Sequence, residues 1–263
     1  MTAAAESPTH PVYGRLRAVT DTASVLLADN PGLLTLEGTN TWVLRGPGSD
    51  ELVVVDPGPE DDEHIARVAG AGRIALVLIS HRHGDHTDGI DKLVERTGAT
   101  VRSAGSGFLR GLGGELADGE VIDAAGLKIT VMATPGHTAD SLSFVLDDAV
   151  LTADTVLGRG TTVIDNEDGS LADYLESLRR LRGLGRRTVL PGHGPELADL
   201  EAVASGYLMH RHERLEQVRA ALLDLGGDAT ARQVVERVYV DVDEKLWDAA
   251  EWSVQAQLDY LRG

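Results

Sequence analysis

The chain has no cysteine among its 263 residues. That removes disulfides, thiolate metal sites, cysteine nucleophiles and cysteine-held iron–sulfur clusters together, so any metal must take nitrogen and oxygen ligands. Basic residues are scarce: 24 Lys and Arg stand against 42 Asp and Glu, a formal net charge of −18. Such a balance repels duplex phosphate and disfavours nonspecific nucleic-acid binding. Long apolar runs are lacking as well. No stretch approaches the roughly eighteen uncharged residues of a membrane span, and the polar start, residues 1–11, has no basic end followed by an apolar core. The expected setting is the cytoplasm, with no membrane partner. A hydrophobic content of 42% with 25% charged residues is ordinary for a globular protein and excludes wholesale disorder. At 27.9 kDa the chain fits one sizeable core with an appended subdomain.

Apolar-rich runs at 23–27, 41–44 and 52–55 read as strands, and Asp56-Pro57-Gly58-Pro59 stops the third sharply. Residues 60–69 then carry apolar side chains at helical spacing, with the acidic run Glu60-Asp61-Asp62-Glu63 opening the helix where its dipole welcomes negative charge. Residues 74–79 form a continuous apolar run, as expected of a strand buried on both faces. Beyond it, 88–96 reads as a helix and 100–103 as a strand. Short β-type runs follow at 121–122, 127–133, 142–146 and 149–153, then a helix at 171–181, a short strand at 188–190 and a long helix at 196–225. A helical tail spans 230–262, where Leu246, Trp247, Ala250, Val254 and Leu258 recur at the spacing of a packing face. The expected class is α/β (α+β), with residues 1–195 as one unit and 196–263 as a helical subdomain.

Five of the nine histidines fall in three clusters, each directly after a strand-like run. They are Ser80-His81-Arg82-His83-Gly84-Asp85-His86, Thr134-Pro135-Gly136-His137 and Pro191-Gly192-His193-Gly194; Asp154 ends the run 149–153 in the same way. Side chains at strand ends emerge from a scaffold edge rather than from its interior. Three imidazoles and a carboxylate within six residues point in different directions and suit two neighbouring ions better than one. Nitrogen and oxygen donors fit zinc, manganese or iron, with zinc favoured. Glycines at 84, 136, 192 and 194 let the backbone turn sharply beside these donors. A lone histidine is usually a surface or core residue, and His10, His64, His210 and His212 are read that way. Independent chance does not readily produce the clustered five.

The pattern His81-x-His83-x-Asp85-His86, with His137, Asp154 and His193 downstream, resembles the complete metal-binding set of the metallo-β-lactamase superfamily. The resemblance covers about residues 25–195. It implies an αββα sandwich with two metals at one edge of the sheets and a C-terminal, winged-helix-like subdomain. By position, it implies that His81, His83 and His137 bind one metal and Asp85, His86 and His193 the other, with Asp154 bridging and Asp56 supporting the site loop. Position 153, commonly Gly in that family, is Ala here, which puts no ligand in doubt.

Antibiotic-degrading relatives with two zincs place a Cys in the second site or lack the bridging Asp. Only 38 residues separate Asp154 from His193, too few for the large inserted domain of the nuclease branch. Sulfur dioxygenases leave the second site empty. Gly38-Thr39-Asn40-Thr41-Trp42 and the tail segment Thr230-Ala231-Arg232-Gln233-Val234-Val235 resemble the lactamase-beta-2-like group, which includes single-strand endoribonucleases and acyl-carrier-protein thioesterases. The glyoxalase II group shares the metals, but no basic set matching its glutathione site is evident.

The resemblance therefore implies a binuclear hydrolase acting through a metal-bridging hydroxide, with Asp85 also orienting the nucleophile or carrying its proton. A thioester or ester of a small molecule or acyl carrier is the leading substrate, because the charge of −18 opposes RNA. Endoribonuclease and hydroxyacylglutathione hydrolase are the alternatives. A tail that binds nucleic acid or a protein beside a vestigial site is the competing reading, and the filled ligand set argues against it. Arg82 and Thr87 either meet substrate or face solvent.

Overall fold

The computed structural model describes residues 13–263; the polar start and His10 lie outside the described residues. One sheet contains β1 (Arg17–Ala18), β2 (Ala23–Leu27), β3 (Asn40–Leu44), β4 (Glu51–Val55), β5 (Arg73–Leu78) and β6 (Thr100–Arg102), in that spatial order. Its pairs are antiparallel as far as β4 and parallel beyond. The second sheet contains β7 (Val121–Ala124), β8 (Leu127–Ala133), β9 (Leu142–Val145), β10 (Ala149–Ala153) and β11 (Thr188–Pro191), ordered β11-β10-β9-β8-β7, with only β10 and β11 parallel.

Alternation along the strands makes each sheet two-faced. Val53 and Val55 point into the space between the sheets, where they meet Phe144, Leu151 and Leu190 of the second sheet. Leu52 and Val54 point the other way, onto α1 (Asp62–Ala69) and α3 (Ile90–Thr97). On β5 the register shifts opposite Leu52 and Val53, so Ile74 and Val77 share the helix-facing side although their numbers differ in parity. An extra residue in a strand flips the side on which later side chains emerge. The outer face of the second sheet packs on α4 (Leu171–Gly183) and the first half of α5 (Leu200–Leu225) through Val150, Val189, Leu178 and Leu208. The layers therefore run helix, sheet, sheet, helix. Each fully buried Leu, Val or Phe contributes about 1.5–3 kcal/mol, so the inter-sheet layer fixes the sandwich.

Helix starts follow their caps. Asp61 accepts the backbone N–H of His64 at 2.6 Å, which starts α1 two residues after the acidic run begins. The long helix opens at Leu200 rather than 196, because Leu197 still pairs with Val189 and Asp199 caps Ala202. The helix expected over 88–96 is α3, Ile90–Thr97, and a short α2 (Gly84–Thr87) that the sequence reading did not contain precedes it. After α5 come α6 (Ala231–Val238), opened by a Thr230–Gln233 capping box, and α7 (Trp247–Arg262). Val234, Val254 and Leu258 close a separate small core against Val218 and Ala221 of α5. The long helix thus spans both cores. Among the described residues no helix is long and apolar enough to cross a membrane.

Candidate metal centre

Five strands end at one edge of the sandwich, and each delivers a polar side chain there. β4 leads directly into Asp56, β5 leads through Ser80 into His81, β8 leads to His137, β10 leads directly into Asp154, and β11 leads to His193. Backbone bonds stitch the two sheets together at this edge: Asn40 N–H donates to the Gly192 carbonyl at 2.8 Å and Leu142 N–H to the Ser80 carbonyl at 2.8 Å. The side chains of Asn40 and Trp42 both donate to the Pro191 carbonyl at 3.0 Å. A Cβ at Gly192 would run into the Asp154 carboxylate, so only glycine leaves that carboxylate room. Asp56 and Ala153 hold left-handed backbone, with φ of 54° and 44°. That conformation at the last strand residue explains in physical terms why glycine suits position 153.

His81, His83, His137 and Asp154 bring one donor atom each to within 4.8 Å of one another, and so do Asp85, His86 and His193. Asp154 lies between the groups, its oxygens 3.7 Å from His137 Nε2, 3.5 Å from His86 Nε2 and 3.3 Å from His193 Nε2.

Outer partners fix which ring nitrogen of each histidine carries hydrogen. The His137 Nδ1–H donates to the Val163 carbonyl at 2.7 Å, and the His193 Nδ1–H to the Gly38 carbonyl at 3.0 Å. His86 Nδ1–H donates to Asp56 Oδ2 at 2.9 Å, and His83 Nε2–H to Asp165 Oδ2 at 3.0 Å. The Ser80 hydroxyl gives its own proton to Asp56 Oδ2 at 2.6 Å, so its oxygen accepts from His81 Nδ1–H at 2.9 Å. In a neutral ring the remaining nitrogen presents a lone pair, and in the first group these converge, with His83 Nδ1 3.0 Å from His81 Nε2 and 3.1 Å from His137 Nε2; in the second group His86 Nε2 and His193 Nε2 lie 3.4 Å apart, where the carboxylates draw positive charge onto both. Lone pairs at such distances repel unless a cation lies among them. The donor set fits divalent metal.

The carboxylates add to this demand. Burial would lower His86, yet Asp85, Asp154 and Asp56 push it up to about 9. Burial likewise opposes the charge of His193, but Asp154 and Asp85 hold it well above the ordinary histidine value. Asp85 and Asp154 stay well below the usual carboxylate range despite burial, through His86 and His193. Burial keeps His81 and His137 low. Asp154 is nearly inaccessible, and its Oδ1 has no hydrogen-bond partner. An orphaned, ionised, buried oxygen between two imidazole groups is the arrangement a bridging metal ligand requires.

The sequence profile of the metallo-beta-lactamase superfamily matches residues 34–193, and that of the beta-lactamase associated winged helix domain matches residues 230–262. The chain belongs to the metallo-beta-lactamase superfamily. A beta-lactamase-like protein 2 homolog from Caenorhabditis elegans is 30% identical over 86% of this chain and 79% of its own length. An atrochrysone carboxyl ACP thioesterase from Aspergillus fumigatus is 32% identical over 81% of this chain and 72% of its own. A beta-lactamase domain protein from Burkholderia ambifaria has the same fold, with a TM-score of 0.82 at 20% identity over 97% of this chain and 90% of that one. The protein is a hydrolase of this superfamily with a candidate metal-binding His/Asp cluster.

Within the superfamily fold, the structure adds residues that the sequence pattern did not single out. Asp165 and the Val163 carbonyl orient His83 and His137 from the loop after β10. Thr39 donates to Asp85 Oδ2 at 2.8 Å while accepting from Asn30 at 3.0 Å, which gives the Gly38–Trp42 segment a role. Neither Arg82 nor Thr87 simply faces solvent. Thr87 is buried and donates to the His83 carbonyl; Arg82 pairs with Asp165, Glu167 and Asp168. A cavity of about 800 Å³ opens over the cluster, reached by His83, Asp85, His137, Asp154 and His193. His64 is buried and bonded to Thr41 at 2.8 Å, away from this group.

Proposed function

We propose that the chain hydrolyses the thioester or ester of a small-molecule or carrier-borne acyl group, with two divalent cations held in the cluster. His81, His83 and His137 would hold one cation and Asp85, His86 and His193 the other, with Asp154 between them. Zinc is the first choice for such donors, ahead of manganese or iron. Residues 1–195 would form the catalytic unit and 196–263 its helical, winged-helix-like subdomain. The observation that carries the reading is the convergence of five oriented imidazoles and two ionised carboxylates at the floor of a large cavity.

Cations in that position supply Lewis acidity, which brings the pKa of water down to about 7 and polarises a carbonyl. The chain's own residues do the rest. Asp85 lines the cavity as a carboxylate, placed to orient an attacking water and take its proton at a carboxylate oxygen. Thr39 holds Asp85 in place, and Asp165 and the Val163 carbonyl hold the rings of His83 and His137. Leu33, Leu36 and Leu157 line the same cavity, where they would shelter an acyl chain from water. The thioesterase named among the relatives and the net charge of −18 both favour acyl over phosphate chemistry.

The test is metal-loaded protein assayed side by side on acyl thioesters, S-lactoylglutathione, a cephalosporin and single-stranded RNA, with metal content measured in parallel. Thioester turnover that disappears in Asp154→Ala and His193→Ala is expected. Cleavage of RNA alone, or hydrolysis untouched by both substitutions, overturns the reading.

A further inference from the structure

The cavity over the cluster continues away from it, to a wall built by α5 and the C-terminal tail. His210, Arg211 and Arg214 of α5 line it, as do Tyr239, Leu246 and Trp252 of the tail. Positions 210, 211 and 214 lie on one side of a helix.

The arginines of this cavity divide into two kinds. Arg82 is met by Asp165, Glu167 and Asp168, and Arg159 by Glu37. Arg211 and Arg214 have no carboxylate in salt-bridge range among the described residues. Arg211 is only 3% exposed; it donates to the Thr162 carbonyl, sits 5.0 Å from the Tyr174 ring centroid, and leaves its Nε without a partner. A buried cation lacking a counter-charge is costly, and such groups persist where a ligand supplies the charge. Arg214, half-buried, lies 4.6 Å over the Tyr239 ring and donates to Gln217 at 2.8 Å. Both partners are neutral, so they hold the planar guanidinium in place while leaving its charge and further N–H groups uncommitted. His210 beside them is pushed below the ordinary histidine value by burial and by the two arginines, against the pull of Glu213. In a chain of net charge −18, two unpaired arginines on a cavity wall run against the composition.

We propose that this wall is a recognition subsite for an anionic group on the substrate, either a carboxylate on the acyl part or the phosphate of a carrier arm. Arg214 is the contact, Arg211 supplies the field behind it, and Leu246 and Trp252 take the apolar stretch that leads from the cluster. The tail is then part of the substrate site rather than packing alone. The inference rests on the thioester reading of the cluster, but it can be read without turnover.

The experiment compares wild type, Arg214→Gln and Arg214→Lys on two matched pairs: acyl-pantetheine with and without the 4′-phosphate, and a neutral acyl thioester against its ω-carboxylate counterpart. Arg214→Gln is expected to raise KM for a charged member about tenfold or more, with kcat and the neutral members unchanged. Arg214→Lys recovers part of the loss. A loss confined to the phosphate pair assigns the subsite to the carrier arm, and one confined to the carboxylate pair assigns it to the acyl part. Equal losses on charged and neutral members, or none on either, overturn the proposal. Calorimetric titration with non-hydrolysable thioether analogues of the same pairs separates the two readings. If nothing is hydrolysed, charge discrimination that vanishes in Arg214→Gln still supports the subsite, and equal affinity of wild type for charged and neutral analogues refutes it.

Discussion

Replacing Asp56 by Asn exchanges one oxygen for an amide nitrogen at a buried point that touches no substrate. Asp56 Oδ1 accepts the Ser80 backbone N–H at 2.8 Å, and Oδ2 accepts both the Ser80 hydroxyl at 2.6 Å and His86 Nδ1–H at 2.9 Å. An asparagine keeps the first bond and puts an NH2 where two donors already point. Ser80 can rotate its hydroxyl, but His86 escapes the clash only by moving its proton to Nε2, the nitrogen that faces Asp85, Asp154 and His193. The lone pair needed by a cation in the Asp85/His86/His193 group is then lost. A hydrogen bond to a charged group is worth about 2 kcal/mol, so cation affinity of that group should fall about thirtyfold, within the range known for outer partners of metal-binding histidines. Competition against a chelator of known affinity would show one equivalent of zinc weakened and the other, held by His81, His83 and His137, nearly unchanged. Nitrogen-15 spectra of the imidazoles would show His86 protonated at Nε2. Two equivalents bound as in wild type, or a proton still on Nδ1, would refute the reasoning.

Two further substitutions test the frame around the site. Burial lowers the His64 pKa from 6.5 to about 4, outweighing the opposing pull of Asp61. The unfolded chain therefore takes up a proton at a higher pH than the folded one, and the contribution is complete above pH 6.5 and declines as pH falls toward about 4. The full loss is about 3 kcal/mol. The difference in unfolding free energy between wild type and His64→Gln should be level above pH 6.5 and slope down over that window; a difference that stays level throughout contradicts it. At Ala153, whose φ is 44°, glycine removes the left-handed penalty, so Ala153→Gly should stabilise by about 0.5–1 kcal/mol in denaturant titration, and a loss of stability of that size would refute the strain.

The cluster was legible in the sequence because its donors follow apolar runs, and a strand end is where a side chain leaves the core; glycine or proline beside the histidines sharpened the signal. His81, His137, Asp154 and His193 all obey that local rule. Apart from Asp56 and Ser80, the partners that orient the cluster do not. His83 is held by Asp165, 82 residues away, and His193 by the Gly38 carbonyl, 155 residues away. A carbonyl has no residue signature, and an aspartate in a polar loop looks like any other surface acid. The short β1 and α2 were not read from the sequence; the other strands and helices were found within a few residues, and the shifts arise where caps or stray pairings decide, as Asp199 and Leu197 do before α5.

The cavity wall was hidden for a different reason. His210, Arg211 and Arg214 sit in a helix whose residues include many charges, a pattern that reads as a solvated surface; only the folded chain shows that the tail covers this side and leaves Arg211 buried. The same physics links the wall to the cluster. Arg211 holds the Thr162 carbonyl, while Thr162 donates to the Asp154 carbonyl at 2.7 Å and the neighbouring Val163 carbonyl fixes His137. One loop therefore connects the orientation of two cluster residues with a cation on the far wall. An anion seated on Arg214, as proposed, leaves the bonds from Arg211 through Thr162 to Asp154 in place, which is why the substitution at 214 is expected to act on KM rather than kcat.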